Sequence, residues 1–268
     1  MTCRASIVRR CRKLGYDLVS KLSSLFGYEL VRKSSGAFNC LEYPEASDRD
    51  RQICELISPY TMTSEAKIWS LIRAVDYVEE NNIPGDFVEC GVWRGGSAMA
   101  IMLACLTGGR QARPVWLYDT FEGMPPPTDR DVQLQTNRAA SGILEDTSDR
   151  RNSHIWAYSP RTEVEANIAL TNYPPESIRI VEGDVVETLQ STTPDLIALM
   201  RLDTDWYEST LAELEFLWPK LVPGGVCIID DYGHWGGSRQ AVDEYFAQRG
   251  AKPLLLRVDY SARMIIKH

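Results

Sequence analysis

The stretch LIALMRLDTDWYESTLAELEFLWPKLVPGGVCIIDDYGHW, residues 196–235, holds two strand patterns around one helix pattern. The apolar runs at 196–203 and 225–231 have strand length, and the segment 207–221 between them reads as a helix. Each run ends in acid: Asp203 and Asp205 leave the first, Asp230 and Asp231 the second. A strand that is apolar throughout is buried on both faces, as strands are in parallel sheets covered by helices. The stretch therefore predicts a strand–helix–strand unit with carboxylates gathered at its carboxyl edge.

The same alternation extends outward. An amphipathic helix at 63–82, with Thr63 or Ser64 as its cap, is stopped by Pro84 and Gly85. Then come a strand at 86–90, a helix at 97–107, a strand at 115–119, a helix near 161–172 and a strand at 178–184. Past the opening stretch, a helix at 238–250 precedes strands at 254–259 and 262–268, whose tight turn at Tyr260–Ser261 implies an antiparallel edge. This is an α/β pattern. Seven strands with a terminal hairpin suggest the doubly wound, mostly parallel sheet of class I methyltransferases, of order 3-2-1-4-5-7-6. Residues 1–62 are expected to form an N-terminal helical arm and closing segment, and 63–268 the main domain. Residues 120–160 interrupt the rhythm with a polar, proline-bearing insertion, read as a lid beside the site.

Composition narrows the function. With 268 residues and 44% hydrophobic content the chain suits one domain, and a net charge of −8 disfavours nucleic acid as a partner. Charge is uneven: eight basic residues against Asp17 and Glu29 give residues 1–33 a charge of +6, leaving −14 for the remainder. Apolar residues in this arm fall on one helical face, which fits packing on the body or a second subunit, or peripheral membrane contact through residues 4–26. The seven cysteines form no CxxC pair, and no window reaches the length of a membrane span, so the expected setting is the cytoplasm.

Three motifs carry the chemistry. VECGVWRGGS (88–97) turns a strand through glycines into a helix and presents backbone N–H groups to an anionic ligand group; its spacing is not the dinucleotide fingerprint. Asp119 ends the second strand, where an acid accepts hydrogen bonds from ribose hydroxyls, and Asp184 ends the third, within reach of an adenine amino group. Asp203 and Asp230 lie on neighbouring strands in an order of 3-2-1-4-5, and Asp231 follows directly. Three carboxylates in one place are unfavourable without a cation, and an all-oxygen site suits Mg²⁺, Mn²⁺ or Ca²⁺ rather than zinc; the other reading of these acids is as caps of the helices that begin near 205 and 236. Asp205 reads as a cap of the following helix or as a supporting group.

Taken in order, PYTMTSEAKIWSL (59–71), GDFVECGVWRGGS, LYDTFEGMPPPT and RLDTDWYESTLAELEFLWPKLVPGGVCIIDDYGHWGGSRQAVDEYF resemble the macrocin O-methyltransferases. These are Mg²⁺- and S-adenosylmethionine-dependent enzymes that methylate sugar hydroxyls on antibiotics such as macrolides and novobiocin. The resemblance implies that Asp203, Asp230 and Asp231 bind Mg²⁺ or Mn²⁺. It implies that Glu89, Gly91 and Ser97 surround the methionine part of the cofactor, that Asp119 and Asp184 hold ribose and adenine, and that Thr61 and Met62 close over it. By the same resemblance Asp203 is the expected base, with Asp205 as a second candidate, the substrate is a glycoside or sugar, and the protein is a homo-oligomer. The arm and most of 126–160 are unmatched, so the acceptor is left open.

His234 and His154 are further candidates for a role toward substrate, and Trp93 and Arg94 for contact with the sulfonium and the cofactor carboxylate, or for packing. Trp206, Tyr207, Phe216 and Trp218 read as core. Two other functions fit the same residues: a methyltransferase of this fold acting on a phenol or an amine, and a non-enzymatic cofactor-binding or membrane-associated protein.

Overall fold

The computed structural model describes residues 43–268 except 148, 151, 152 and 154. The basic arm, with the membrane contact expected at 4–26, and His154 lie outside the described residues. Within the described residues no helix is long and apolar enough to cross a membrane.

The centre is a seven-stranded sheet. Strands β1 (Asp86–Cys90), β2 (Val115–Asp119), β5 (Ile178–Glu182), β6 (Ile197–Leu202) and β7 (Leu221–Ile229) run parallel, and β9 (Arg263–Ile266) joins β7 antiparallel, with β8 (Leu256–Arg257) outermost. The order is β5-β2-β1-β6-β7-β9-β8. Leaving out the two short strands of the insertion, β3 (Val132–Gln133) and β4 (Arg138–Ala139), this is the expected 3-2-1-4-5-7-6. All six residues of β6 are buried, as a central strand covered on both faces requires. The terminal hairpin is shorter than its apolar pattern: Leu254 and Leu256 lie exposed at the edge, where two residues of β8 pair with β9.

Helices α1 (Asp48–Ile57), α2 (Glu65–Glu80) and α3 (Gly96–Leu106) pack together, so residues 48–57 belong to the body of the protein. Ser47 caps α1 through a reciprocal bond with Asp50, and Ser64 caps α2. Helices α5 (Arg161–Ala169), α6 (Val185–Thr188), α7 (Tyr207–Leu217) and α8 (Gly236–Gln248) complete the alternation. Gly91 leaves β1 at φ +82°, and a Cβ there would lie 2.0 Å from the Asp203 carbonyl oxygen. Only glycine lets the loop after β1 pass so close to the end of β6.

The insertion is a folded wall, with the β3–β4 hairpin and helix α4 (Ala140–Glu145). Its composition looked polar because half of its small core lies elsewhere. Ala140, Ile143 and Leu144 pack on Trp206 and Trp235, whose rings meet edge-on at 4.9 Å. Fully buried Asp131 pins it down: one carboxylate oxygen accepts the Tyr207 N–H at 2.8 Å and the other accepts the Thr128 N–H at 2.7 Å. Asp131, not Asp205, thus serves the first turn of α7. Asp131→Ala is expected to cost about 1–3 kcal/mol, and limited proteolysis of the variant should show faster cleavage between 120 and 160.

Candidate active site

The carboxyl ends of β1, β2, β6 and β7 open into a cavity of about 480 Å³. On one side lie the glycine loop after β1, Asp119 and Asp184; on the other lie the acids after β6 and β7, and Met124, Ile143 and Ile155 of the insertion face them. Leu202 pairs with Ile229 in register, so the residues that follow, Asp203 and Asp230, emerge side by side.

Asp203, Asp205 and Asp231 each offer a carboxylate oxygen within 4.8 Å of the others. The expected grouping of Asp203, Asp230 and Asp231 is altered, because Asp230 is held by two basic side chains. One of its oxygens bonds Lys67 and the other accepts from Arg201 at 2.9 Å. Arg201 also reaches Glu89 at 2.8 Å and Asp203 at 2.7 Å, so one buried guanidinium serves three carboxylates. Asp205 takes the vacated place in the cluster by adopting φ +66°, a left-handed conformation that aspartate tolerates.

Charge distribution follows this division. Burial raises Asp203 and Asp231 well above the carboxylate range; at Asp203 Arg201 opposes this while Asp230 and Asp231 add to it, and at Asp231 Asp205 and Asp230 add to it. Asp205 is pushed up to about 7 by burial and by Asp203. Asp230 is lowered despite burial, by Arg201 and Lys67. Lys67 is raised despite burial, chiefly by Asp230. One oxygen of Asp231, Oδ2, is buried with no hydrogen-bond partner. Acids that repel one another around such an oxygen form a seat for a cation.

On the other side, Asp119 organises the glycine loop. Its Oδ2 accepts the N–H groups of Val92 (2.6 Å) and Trp93 (3.0 Å), and its Oδ1 accepts that of Phe121 (2.7 Å). Asp184 caps α6 through the Val186 N–H at 2.9 Å while facing the cavity. Met62, Gly91, Asp119, Asp184, Asp203, Asp230 and Asp231 all line the cavity, as does Trp93. Thr61, Glu89 and Ser97 are not among the lining residues. Thr61 accepts the Thr63 N–H, Glu89 is fully buried against Arg201, and Ser97 is buried in the first turn of α3. Arg94 turns to Glu163 at 2.7 Å and to the Pro59 carbonyl, leaving the packing reading for its side chain. His234 lines the cavity; burial, and then Lys67, lowers its pKa against the opposing pull of Asp230. Trp206 is buried and also lines the cavity, whereas Phe216 and Trp218 pack against the main core.

Two residues that the sequence reading passed over complete the site. Arg201 was signalled by its position, a charge inside an otherwise apolar strand, which must be paired to be buried. Lys67 carried no comparable signal: its place on the inner face of α2 depends on how that helix rotates against the sheet.

Residues 41–266 match the family described as macrocin-O-methyltransferase (TylF). Among characterised proteins, the demethyldecarbamoylnovobiocin O-methyltransferase of Streptomyces niveus is 34% identical over 200 residues, covering 75% of this chain and 72% of that one. The 8-demethyl-8-(2,3-dimethoxy-α-L-rhamnosyl)-tetracenomycin-C 4′-O-methyltransferase of Streptomyces olivaceus is 32% identical over 206 residues, with the same coverages of 75% and 72%. Among solved structures, the O-methyltransferase NovP superposes with a TM-score of 0.67 at 32% identity, over 78% of this chain and 82% of that one.

Proposed function

We propose that this chain, which belongs to the macrocin-O-methyltransferase family and is an O-methyltransferase, transfers a methyl group from S-adenosylmethionine to a hydroxyl of a sugar carried on a small molecule. The observation that carries this reading is the meeting, in one cavity, of an Asp119-ordered glycine loop with the cluster of Asp203, Asp205 and Asp231. The acceptor class rests on the names of the relatives, one of which acts on a rhamnosyl-bearing compound.

The cofactor side is built for a zwitterion joined to a nucleoside. Gly91 and Trp93 line the cavity, with Asp119 holding the loop in shape, and Asp184 lines the same cavity while capping α6. S-adenosylmethionine supplies a methyl group on a sulfonium centre, and the acids facing it favour a cationic donor over its neutral product. The oxygen-only donor set and the orphaned Asp231 Oδ2 fit a hard divalent cation, Mg²⁺ or Mn²⁺. Asp203 and Asp231, common to the expected and the observed groupings, would hold it; Asp230 would join them only by releasing Lys67. When bound, the cation would lower the pKa of an acceptor hydroxyl and align it. Asp203 keeps 27% of its side chain accessible, but its Oδ2 is tied to Arg201. Among the described residues no basic side chain bonds Asp205, so Asp205 is the better proton acceptor.

Calorimetric titration with S-adenosylmethionine, with and without Mg²⁺, tests the reading. Micromolar or tighter binding is expected, and Asp119→Ala should abolish it, because two N–H groups of the glycine loop, Val92 and Trp93, lose their acceptor. Absence of binding under both conditions would sink the proposal.

A further inference from the structure

Three separate segments meet at the mouth of the cavity. Gln133 comes from the insertion hairpin, His234 from the loop after β7, and Tyr260 from the turn between β8 and β9, and all three line the cavity. Their backbones are fixed to one another. The Leu134 N–H bonds the His234 carbonyl at 2.9 Å, and the Gly233 N–H bonds the Ser261 carbonyl at 2.8 Å. A Cβ on Gly233 would lie 2.1 Å from the Tyr260 carbonyl oxygen, so the loop after β7 is pressed onto this turn.

The side chains then form a chain whose direction can be worked out. In the structure the Thr136 hydroxyl donates to Gln133 Oε1 at 2.6 Å, and the amide nitrogen of Gln133 faces His234 Nε2 at 3.2 Å. An amide nitrogen only donates, so Nε2 must carry a lone pair. A neutral imidazole with a bare Nε2 has its proton on Nδ1, and Nδ1 lies 3.0 Å from the Tyr260 hydroxyl oxygen. That oxygen therefore receives a hydrogen bond, and its own proton remains to be donated. Tyr260 is half exposed, at 48%, and lines the cavity.

We propose that Tyr260 is a specificity-determining residue whose hydroxyl donates a hydrogen bond to a lone-pair oxygen of the acceptor molecule, and that Thr136, Gln133 and His234 are positioning residues that aim it. The inference rests on the methyltransferase reading and deepens it, because it assigns the wall opposite the glycine loop to the acceptor. The group selected is an ether, carbonyl or carboxylate oxygen near the methylated hydroxyl; a cationic amine at that place has nothing to accept the donated proton and is disfavoured. It also gives the insertion a part in specificity, since Gln133 lies on it.

The relay is tested on the full chain by two-bond proton–nitrogen spectra of protein carrying ¹⁵N-labelled histidine, recorded at a pH where the rings are neutral. Of the three histidines, His234 is assigned with His234→Asn. The expected signature is a protonated Nδ1 and a bare Nε2, becoming a tautomer mixture in Gln133→Leu; a protonated Nε2 in the wild type overturns the relay whatever the acceptor. Recognition is tested by radiolabelled methyl transfer to a panel of 4-nitrophenyl hexosides and 6-deoxyhexosides. Tyr260→Phe should raise KM for the acceptor about tenfold, the effect of one hydrogen bond, with kcat and S-adenosylhomocysteine affinity nearly unchanged. An unchanged KM overturns the assignment. Failure of the wild type to methylate any glycoside or to bind S-adenosylmethionine counts against the methyltransferase reading instead, and the tautomer result still decides the relay.

Discussion

Asp205→Asn is expected to lower kcat about 10²- to 10⁴-fold while leaving S-adenosylhomocysteine affinity within about twofold. The expectation comes from the division of labour among the four acids. Asp230 is held by Lys67 and Arg201, Asp203 has one oxygen on Arg201, and Asp231 offers a buried oxygen without a partner. Asp205 combines proximity to the cluster with freedom from basic partners, and burial and Asp203 push its pKa up to about 7. Asparagine is the informative substitution, because it is isosteric and tolerates the φ of +66° that alanine would strain. Thermal unfolding should show no loss of stability, since the change removes a carboxylate from a repulsive group. Wild-type turnover in this variant would move the proton to Asp203, and a parallel loss of cofactor binding would show that the residue shapes the pocket instead.

What the sequence disclosed about this site, and what it concealed, follows the range of the forces involved. Asp203, Asp230 and Asp231 could be placed together because strand order and register follow from local periodicity, and Leu202 does face Ile229. Gly91 was legible because a strand that turns through glycine needs backbone room, here against the Asp203 carbonyl. The exchange of Asp205 for Asp230 in the cluster was not legible. It depends on Lys67, which arrives from α2, 163 residues earlier than the carboxylate it holds. Glu89, which the resemblance placed by the cofactor, is fully buried and paired with Arg201, its register partner on β6, and that pairing has no local signature in the sequence. The insertion looked like loop because its core is shared: Trp206 and Trp235 are the partners of Ile143 and Leu144, and neither tryptophan lies within 120–160.

Arg201→Met should be the most destabilising single change in the site, by about 3–5 kcal/mol, the range for breaking a buried charge pair by removing one partner. Arg201 is 2% exposed, and without it Glu89, Asp203 and Asp230 lose their common counter-charge. Burial already raises Glu89 to about 8 with Arg201 opposing that shift, so removing Arg201 raises it further. A carboxyl whose folded pKa exceeds its unfolded value makes the folded state bind more protons, so stability declines as pH rises between the two values. The deficit of Arg201→Met relative to wild type should therefore grow as pH rises through about 8, where Glu89 ionises beside Arg201 in the wild type but stays protonated in the variant. Adding Glu89→Gln should recover part of it, because a neutral amide needs no guanidinium, while Asp203 and Asp230 still repel each other. Urea melts of the single and double variants at two pH values decide the matter. An equal deficit at both pH values, with no recovery from Glu89→Gln, would mean that Arg201 stabilises β6 by packing and that the carboxylates do not depend on its charge.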